Sequence, residues 1–203
     1  MTESSTERLP LAVSMGEPAG IGTEILLRTW KHFAEMPPEQ GPTFFLIDDP
    51  VRVERISREL NADIPVATLS DPARASDLFP DALPVMSLKG EELKGLSDVA
   101  MGKPTPATAA AVTASIDRAV KAVGASTAGG IVTLPIQKEV LVDAGFAHPG
   151  HTEYLEKLTA DMPLPKGVER GAVMILTAGP FRVVPVTLHV PLAKVPELVT
   201  VER

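Results

Sequence analysis

The 203-residue chain has no cysteine, which excludes disulfides, thiolate metal ligation and a cysteine nucleophile and leaves the redox compartment open. Aromatics are scarce, with one Trp, one Tyr and six Phe. The core therefore has to be built from small aliphatic side chains, and 20 prolines punctuate it with turns. Basic clusters are missing too, and 19 Lys and Arg against 26 Asp and Glu give a formal net charge of −7. Such a surface lacks the footprint of a nucleic-acid binder, so any anionic ligand has to be held locally. No apolar run is long enough to span a membrane, and Met1 to Pro10 lacks the apolar segment of a secretory signal. The expectation is a cytoplasmic globular protein of one large domain or two small ones, with no membrane and no nucleic-acid partner.

What is present alternates strand and helix. Leu9 to Met15 is a short β-favouring run that feeds Gly16, Gly20 and Gly22, after which Ile25, Leu26, Leu27, Trp30 and Phe33 recur at helical spacing. The glycine spacing G-x-x-x-G-x-G matches neither the dinucleotide fingerprint nor the phosphate loop. It fits a tight turn between strand and helix as well as a backbone cradle for a ligand. Pro42 to Asp48 reads as a second strand, and Asp49-Pro50 starts a helix running to about Leu60. Its charges Arg52, Glu54, Arg55, Arg58 and Glu59 read as a solvated face with local ion pairs. Ile64 to Leu69 and Leu83 to Leu88 are further strands. From Lys89 to Pro106 periodicity fails, which predicts a boundary between a first α/β lobe over 1–100 and a second lobe over 101–203. Thr105-Pro106 then opens a long Ala-rich helix, and Gly129 to Leu134 is a buried-type strand.

Polar chemistry collects beyond that strand. Lys138 stands at a strand end in the first turn of a short helix, where a cation opposes the helix dipole unless an anion is near. His148-Pro149-Gly150-His151-Thr152 follows, with two of the four histidines around a Pro-Gly corner. Thr152 reads as the cap of a helix carrying Tyr154, Leu155 and Leu158, whose free N–H groups would favour a phosphate or another anion. The alternative keeps both histidines as loop residues and Thr152 as a cap alone. Gly171 to Thr177 and Phe181 to Leu188 read as a hairpin around Ala178-Gly179-Pro180, with Pro185 holding the second strand at an edge. At its end stands His189, a candidate metal ligand or an ordinary loop histidine. Thr200 resembles a helix cap, but three further residues cannot make a helix, which predicts a natural protein that continues past Arg203.

Four stretches together carry a resemblance: Met15 to Glu24, Thr133 to Glu139, Gly150 to Glu153 and Thr187 to Leu192. In order and separation they are similar to the N-terminal part of the 4-hydroxythreonine-4-phosphate dehydrogenases of vitamin B6 biosynthesis. The resemblance implies a three-layer α/β/α fold like that of the isocitrate and isopropylmalate dehydrogenases, with two lobes around a cleft and a homodimer completing the site. It implies hydride transfer from 4-phosphohydroxy-L-threonine to NAD or NADP, with one divalent metal (Zn, Mg or Co) polarising the alcohol oxygen. The resulting β-keto acid would lose CO2 to give 3-amino-2-oxopropyl phosphate. By motif, His151 and Thr152 would hold the small phosphorylated substrate, His189 would be one metal ligand, and Lys138 would lie in a catalytic loop. The cofactor-binding residues are not assigned. The remaining metal ligands would lie beyond this chain, which alone would be inactive. Gln137 departs from the His or Asn of many relatives. Dehydrogenases of threonate or erythronate 4-phosphate or of a cyclic dihydrodiol, phosphotransacetylase-like acyl transfer, and a non-catalytic phosphate-binding module remain alternatives.

Overall fold

Five short strands pair in one all-parallel sheet: β1 (Leu11–Ser14), β2 (Phe44–Asp48), β3 (Val66–Leu69), β4 (Leu83–Ser87) and β5 (Gly130–Thr133), in the order β3-β4-β2-β1-β5. Leu11 of β1 stands opposite Phe44 on one side and Gly130 on the other. The computed structural model describes residues 8–37, 40–148, 150–168 and 170–200. Pro149 of the histidine corner, the first seven residues and the Val201 to Arg203 end lie outside the described residues.

Parallel neighbours need crossovers, and helices supply them. On one face α1 (Gly22–Ala34) and α2 (Pro50–Glu59) bury Leu26, Leu27, Trp30, Val53 and Ile56 against Val13 and Leu46. On the other, α3 (Ala75–Leu78) and α4 (Ala109–Gly124) bring Ala75, Ala111 and Ala119 against Ala12, Phe45 and Ile47. Adjacent residues of β1 and β2 thus enter opposite cores, as a two-residue period requires, and β2 is buried along its whole length. Each such fully buried Leu, Ile or Phe contributes about 1.5–3 kcal/mol. The α/β/α layering is the fold class the sequence predicts. The Asp49 side chain accepts from Val51 N at 3.1 Å, so the predicted cap of α2 is present.

Residues 89–106 do not behave as a linker. Glu92 accepts from Lys89 N at 2.7 Å and from Arg118 at 2.6 Å, Leu96 and Val99 are buried, and Gly102 N donates to Ala19 O. The compact division falls instead between Met162 and Pro163. Irregular sequence signalled a missing period, but the segment is held by side-chain and backbone bonds that have none.

Two short helices, α5 (Lys138–Asp143) and α6 (His151–Leu158), complete the first unit. Leu141 and Tyr154 join Ala109, Val112 and Ile116 of α4 in a third apolar cluster. The second unit holds the hairpin of β6 (Leu176–Ala178) and β7 (Phe181–Val183), with Ala178 opposite Phe181, and then α7 (Val195–Leu198). The hairpin is where expected, but its strands are three residues each. Pro185 cannot donate to a ladder, and neither strand has a second partner among the described residues.

Candidate anion site at the carboxyl edge of the sheet

The carboxyl ends of β1 and β5 lie side by side, and the chain leaves them in two loops that touch. Gly16 has φ +65°, and Glu17 N donates to Pro135 O at 2.8 Å. A Cβ on Gly16 would lie 2.7 Å from that same oxygen, so glycine is required for the approach itself. Ser115 of α4 ties the edge together from below, accepting from Met15 N at 3.0 Å and donating to Ile47 O at 2.7 Å. Crevices outside such strand ends are where open α/β sheets hold ligands.

From β5 the chain passes Pro135 and Gln137 into α5, whose first residue is Lys138, and returns as α6. The N-cap of α6 is Gly150, which has no side-chain cap bond. Thr152, expected as the cap, instead sits exposed in the first turn, because the helix begins two residues earlier than that cap requires, at His151. The first-turn amides thus stay available to an anion.

Lys138 and His151 are brought together. A Cβ built on Gly150 would lie 3.4 Å from Lys138 Nζ and 3.4 Å from a Glu153 carboxylate oxygen, so three polar side chains surround this corner. His151 is half-buried, and its Nε2 is buried without a hydrogen-bond partner among the described residues. Burial, and then the charge of Lys138, hold its imidazole below the usual histidine range. The ring is therefore neutral at pH 7, with an unused polar atom beside a cation.

His148 has a different fate. Its ring packs 5.2 Å from Phe146 and 5.1 Å from Tyr154, and Phe146 and Tyr154 meet edge-on at 4.9 Å. The Tyr154 hydroxyl donates to Asp117 of α4 at 2.5 Å. The cluster anchors the corner to α4, and His148 belongs to it.

His189 lies in the second unit. It is exposed, with φ +55°, beyond the end of β7 rather than on a strand. Among the described residues no three His, Cys, Asp or Glu side chains group to hold a metal ion. His189 alone does not make a metal site.

Sequence reasoning missed a buried ion pair near this edge. Arg52 is not on a solvated face; it is 2% exposed, with its guanidinium 2.6 Å from Asp48, also fully buried. Asp48 ends a strand and Arg52 follows by four residues on α2, a spacing that could have flagged the pair. Burial pushes the Asp48 carboxyl up to about 6, against the attraction of Arg52 and the Asp49 amide. Glu17 of the glycine loop is buried as well, and desolvation raises its carboxyl although Ala19 N donates to it.

A parallel sheet with helices packed on both faces makes this an α/β/α protein. The chain belongs to a family within that class, described as pyridoxal phosphate biosynthetic protein PdxA, whose model matches residues 40–203. It is 38% identical over 193 residues to 4-hydroxythreonine-4-phosphate dehydrogenase of Caulobacter vibrioides, covering 95% of this chain and 54% of the relative. The enzyme of the same name from Methylorubrum extorquens strain PA1 is 43% identical over 197 residues, covering 94% of this chain and 52% of the relative. The crystal structure of 4-hydroxythreonine-4-phosphate dehydrogenase from Klebsiella pneumoniae superposes with a TM-score of 0.75 at 27% identity, covering 96% of this chain and 54% of that one. The chain thus spans about half the length of the curated relatives it matches. No helix among the described residues is long and apolar enough to cross a membrane.

Proposed function

We propose that the whole protein containing this chain oxidises 4-phosphohydroxy-L-threonine with NAD or NADP and a divalent metal, giving a β-keto acid that decarboxylates to 3-amino-2-oxopropyl phosphate for pyridoxal 5'-phosphate synthesis. Family membership and the names of the relatives support the reading. The observation that carries it in this chain is the buried, unpartnered His151 Nε2 beside Lys138 at the start of α6. A phosphate there would take charge-assisted bonds from Lys138, from first-turn amides and from the Thr152 hydroxyl, with His151 supplying a ring N–H.

The same reading gives His189 to the metal as one ligand. The described residues do not by themselves fit a metal, since no three His, Cys, Asp or Glu side chains group among them. A cytoplasmic homodimer also belongs to the reading. Gln137 also suits a second class of substrate. It is half-buried one residue before Lys138, its side chain makes no cap bond, and its amide could meet an amino or a hydroxyl group of a substrate. Four-carbon sugar-acid phosphates, threonate and erythronate 4-phosphate, would fit the same corner.

The test is NADH or NADPH formation, with added divalent metal, by the protein at the length of its relatives. Turnover of 4-phosphohydroxy-L-threonine is expected, and His151→Ala should raise KM for it at least tenfold. Turnover of the sugar-acid phosphates alone would keep the chemistry and replace the substrate. Coenzyme A-dependent acyl transfer, or phosphate binding without hydride transfer, would overturn the proposal.

A further inference from the structure

We propose that Arg52 is a positioning residue: by clamping the middle and the exit of the glycine loop it fixes the Pro135 to Lys138 segment, and through it the placing of Lys138 at the His151 corner. The inference rests on the corner being an anion site.

Arg52 reaches three elements at once. One terminal nitrogen donates to Asp48 at 2.6 Å and to Thr23 Oγ1 at 3.2 Å, and the other donates to Pro18 O at 2.6 Å. Pro18 lies inside the glycine loop and Thr23 in the first turn of α1, so one planar fork spans the loop from within to its exit. Inside that span the loop closes on itself, with Gly20 N donating to Glu17 O and Ala19 N to the Glu17 side chain. Outwardly it takes a bond from Gly102 N at Ala19 O, and its other contacts are with the end of β5. Glu17 N donates to Pro135 O, and Gly16 and Gly22 are both pressed on Leu134. Lys138 begins α5 three residues after Pro135, and its Nζ stands over Gly150.

Two further facts favour positioning over stability alone. A buried ion pair is often matched in stability by apolar side chains of the same volume, so net stability alone does not account for one. Arg52 Nε and the second oxygen of Glu17 are also buried without partners among the described residues. A core selected for stability alone would not leave both exposed to that cost. A lysine in place of Arg52 could offer a point charge but not the fork, so the positioning role demands arginine where a simple charge role would not.

The experiment follows His151 ring resonances while inorganic phosphate is titrated into this chain, and measures exchange of the Glu17 amide. Arg52→Met alone would leave the Asp48 charge buried and unpaired and could unfold the chain, so the informative variant is Arg52→Met with Asp48→Leu, beside Arg52→Lys. Trp30 fluorescence reports that the core is intact. With the core folded, both variants are expected to weaken phosphate binding at least tenfold and to speed Glu17 amide exchange by a similar factor. Lys138→Met should weaken phosphate equally while leaving Glu17 exchange unchanged, which separates the clamp from the cation it places. Wild-type affinity in the folded double variant would overturn the positioning role while leaving the anion site standing. A wild-type chain whose His151 ignores phosphate would remove the anion site and the clamp's purpose together.

Discussion

Replacing Gly16 by Ala should destabilise the first unit by about 2–5 kcal/mol, and the contributions can be separated. The backbone at Gly16 has φ +65°, where a Cβ costs about 1–2 kcal/mol. The added carbon would also stand 2.7 Å from Pro135 O and 2.8 Å from Leu134 Cβ. The first is backbone and cannot swing away, so overpacking adds about 1–3 kcal/mol. Gly102→Ala isolates the first effect, because Gly102 has φ +75° with nothing within 4 Å of a built Cβ; about 1–2 kcal/mol is expected. Gly22→Ala probes contact without positive φ, its nearest neighbour being Leu134 Cβ at 3.2 Å. Urea unfolding followed by fluorescence of the single tryptophan reads all three. Trp30 is buried edge-on to Phe79, with its indole donating to Phe79 O at 3.1 Å. The midpoint should move while the denaturant slope stays constant. If Gly16→Ala costs no more than Gly102→Ala, the β1 loop does not press on Pro135, and the connection drawn between the two loops fails.

Two further outcomes follow from the corner. The lowered pKa of His151 means that below about pH 6.5 the unfolded chain binds the proton more readily, so acidification through that range should cost stability. A bound dianion works the other way by favouring imidazolium, so sulfate affinity should rise as pH falls from 7, and His151→Gln should flatten both profiles; a flat wild-type profile would contradict a neutral, buried His151. The only tyrosine, Tyr154, has its hydroxyl pushed above the ordinary range by burial, by its bond to Asp117 and by that carboxylate's charge. Tyrosinate absorbance should therefore be absent near pH 10, where a free phenol is half ionised. Asp117→Asn should bring it down. Half-ionisation of the native chain near pH 10 would refute the Asp117 contact.

Much of the fold was legible because its signals are local. Hydrophobic period two against 3.6, the Asp49-Pro50 cap and the Gly179-Pro180 turn act within a few residues, and each element they predicted is present, although the hairpin strands are about half their expected length. The four motifs likewise carried the family, since order and spacing survive in one dimension. Lys138 and His151 could be singled out as polar residues at a strand end and a helix start.

Tertiary structure decided the rest. The order β3-β4-β2-β1-β5 depends on which strands meet across as many as 119 positions, between Leu11 and Gly130, and no local preference encodes that. His148 and His151 share one short stretch, yet the first packs on Phe146 and Tyr154 while the second keeps an unused nitrogen beside Lys138. Arg52 looked like one of several surface charges on α2 because helical spacing alone says nothing of what lies above a helix. Only the folded chain brings Asp48, Pro18 and Thr23 around it, and a charge taken from water is decided by such partners, not by its neighbours in sequence. The sequence thus determined the elements, their chemistry and the family, whereas the packing determined which charges are buried and which polar atoms are left for a ligand.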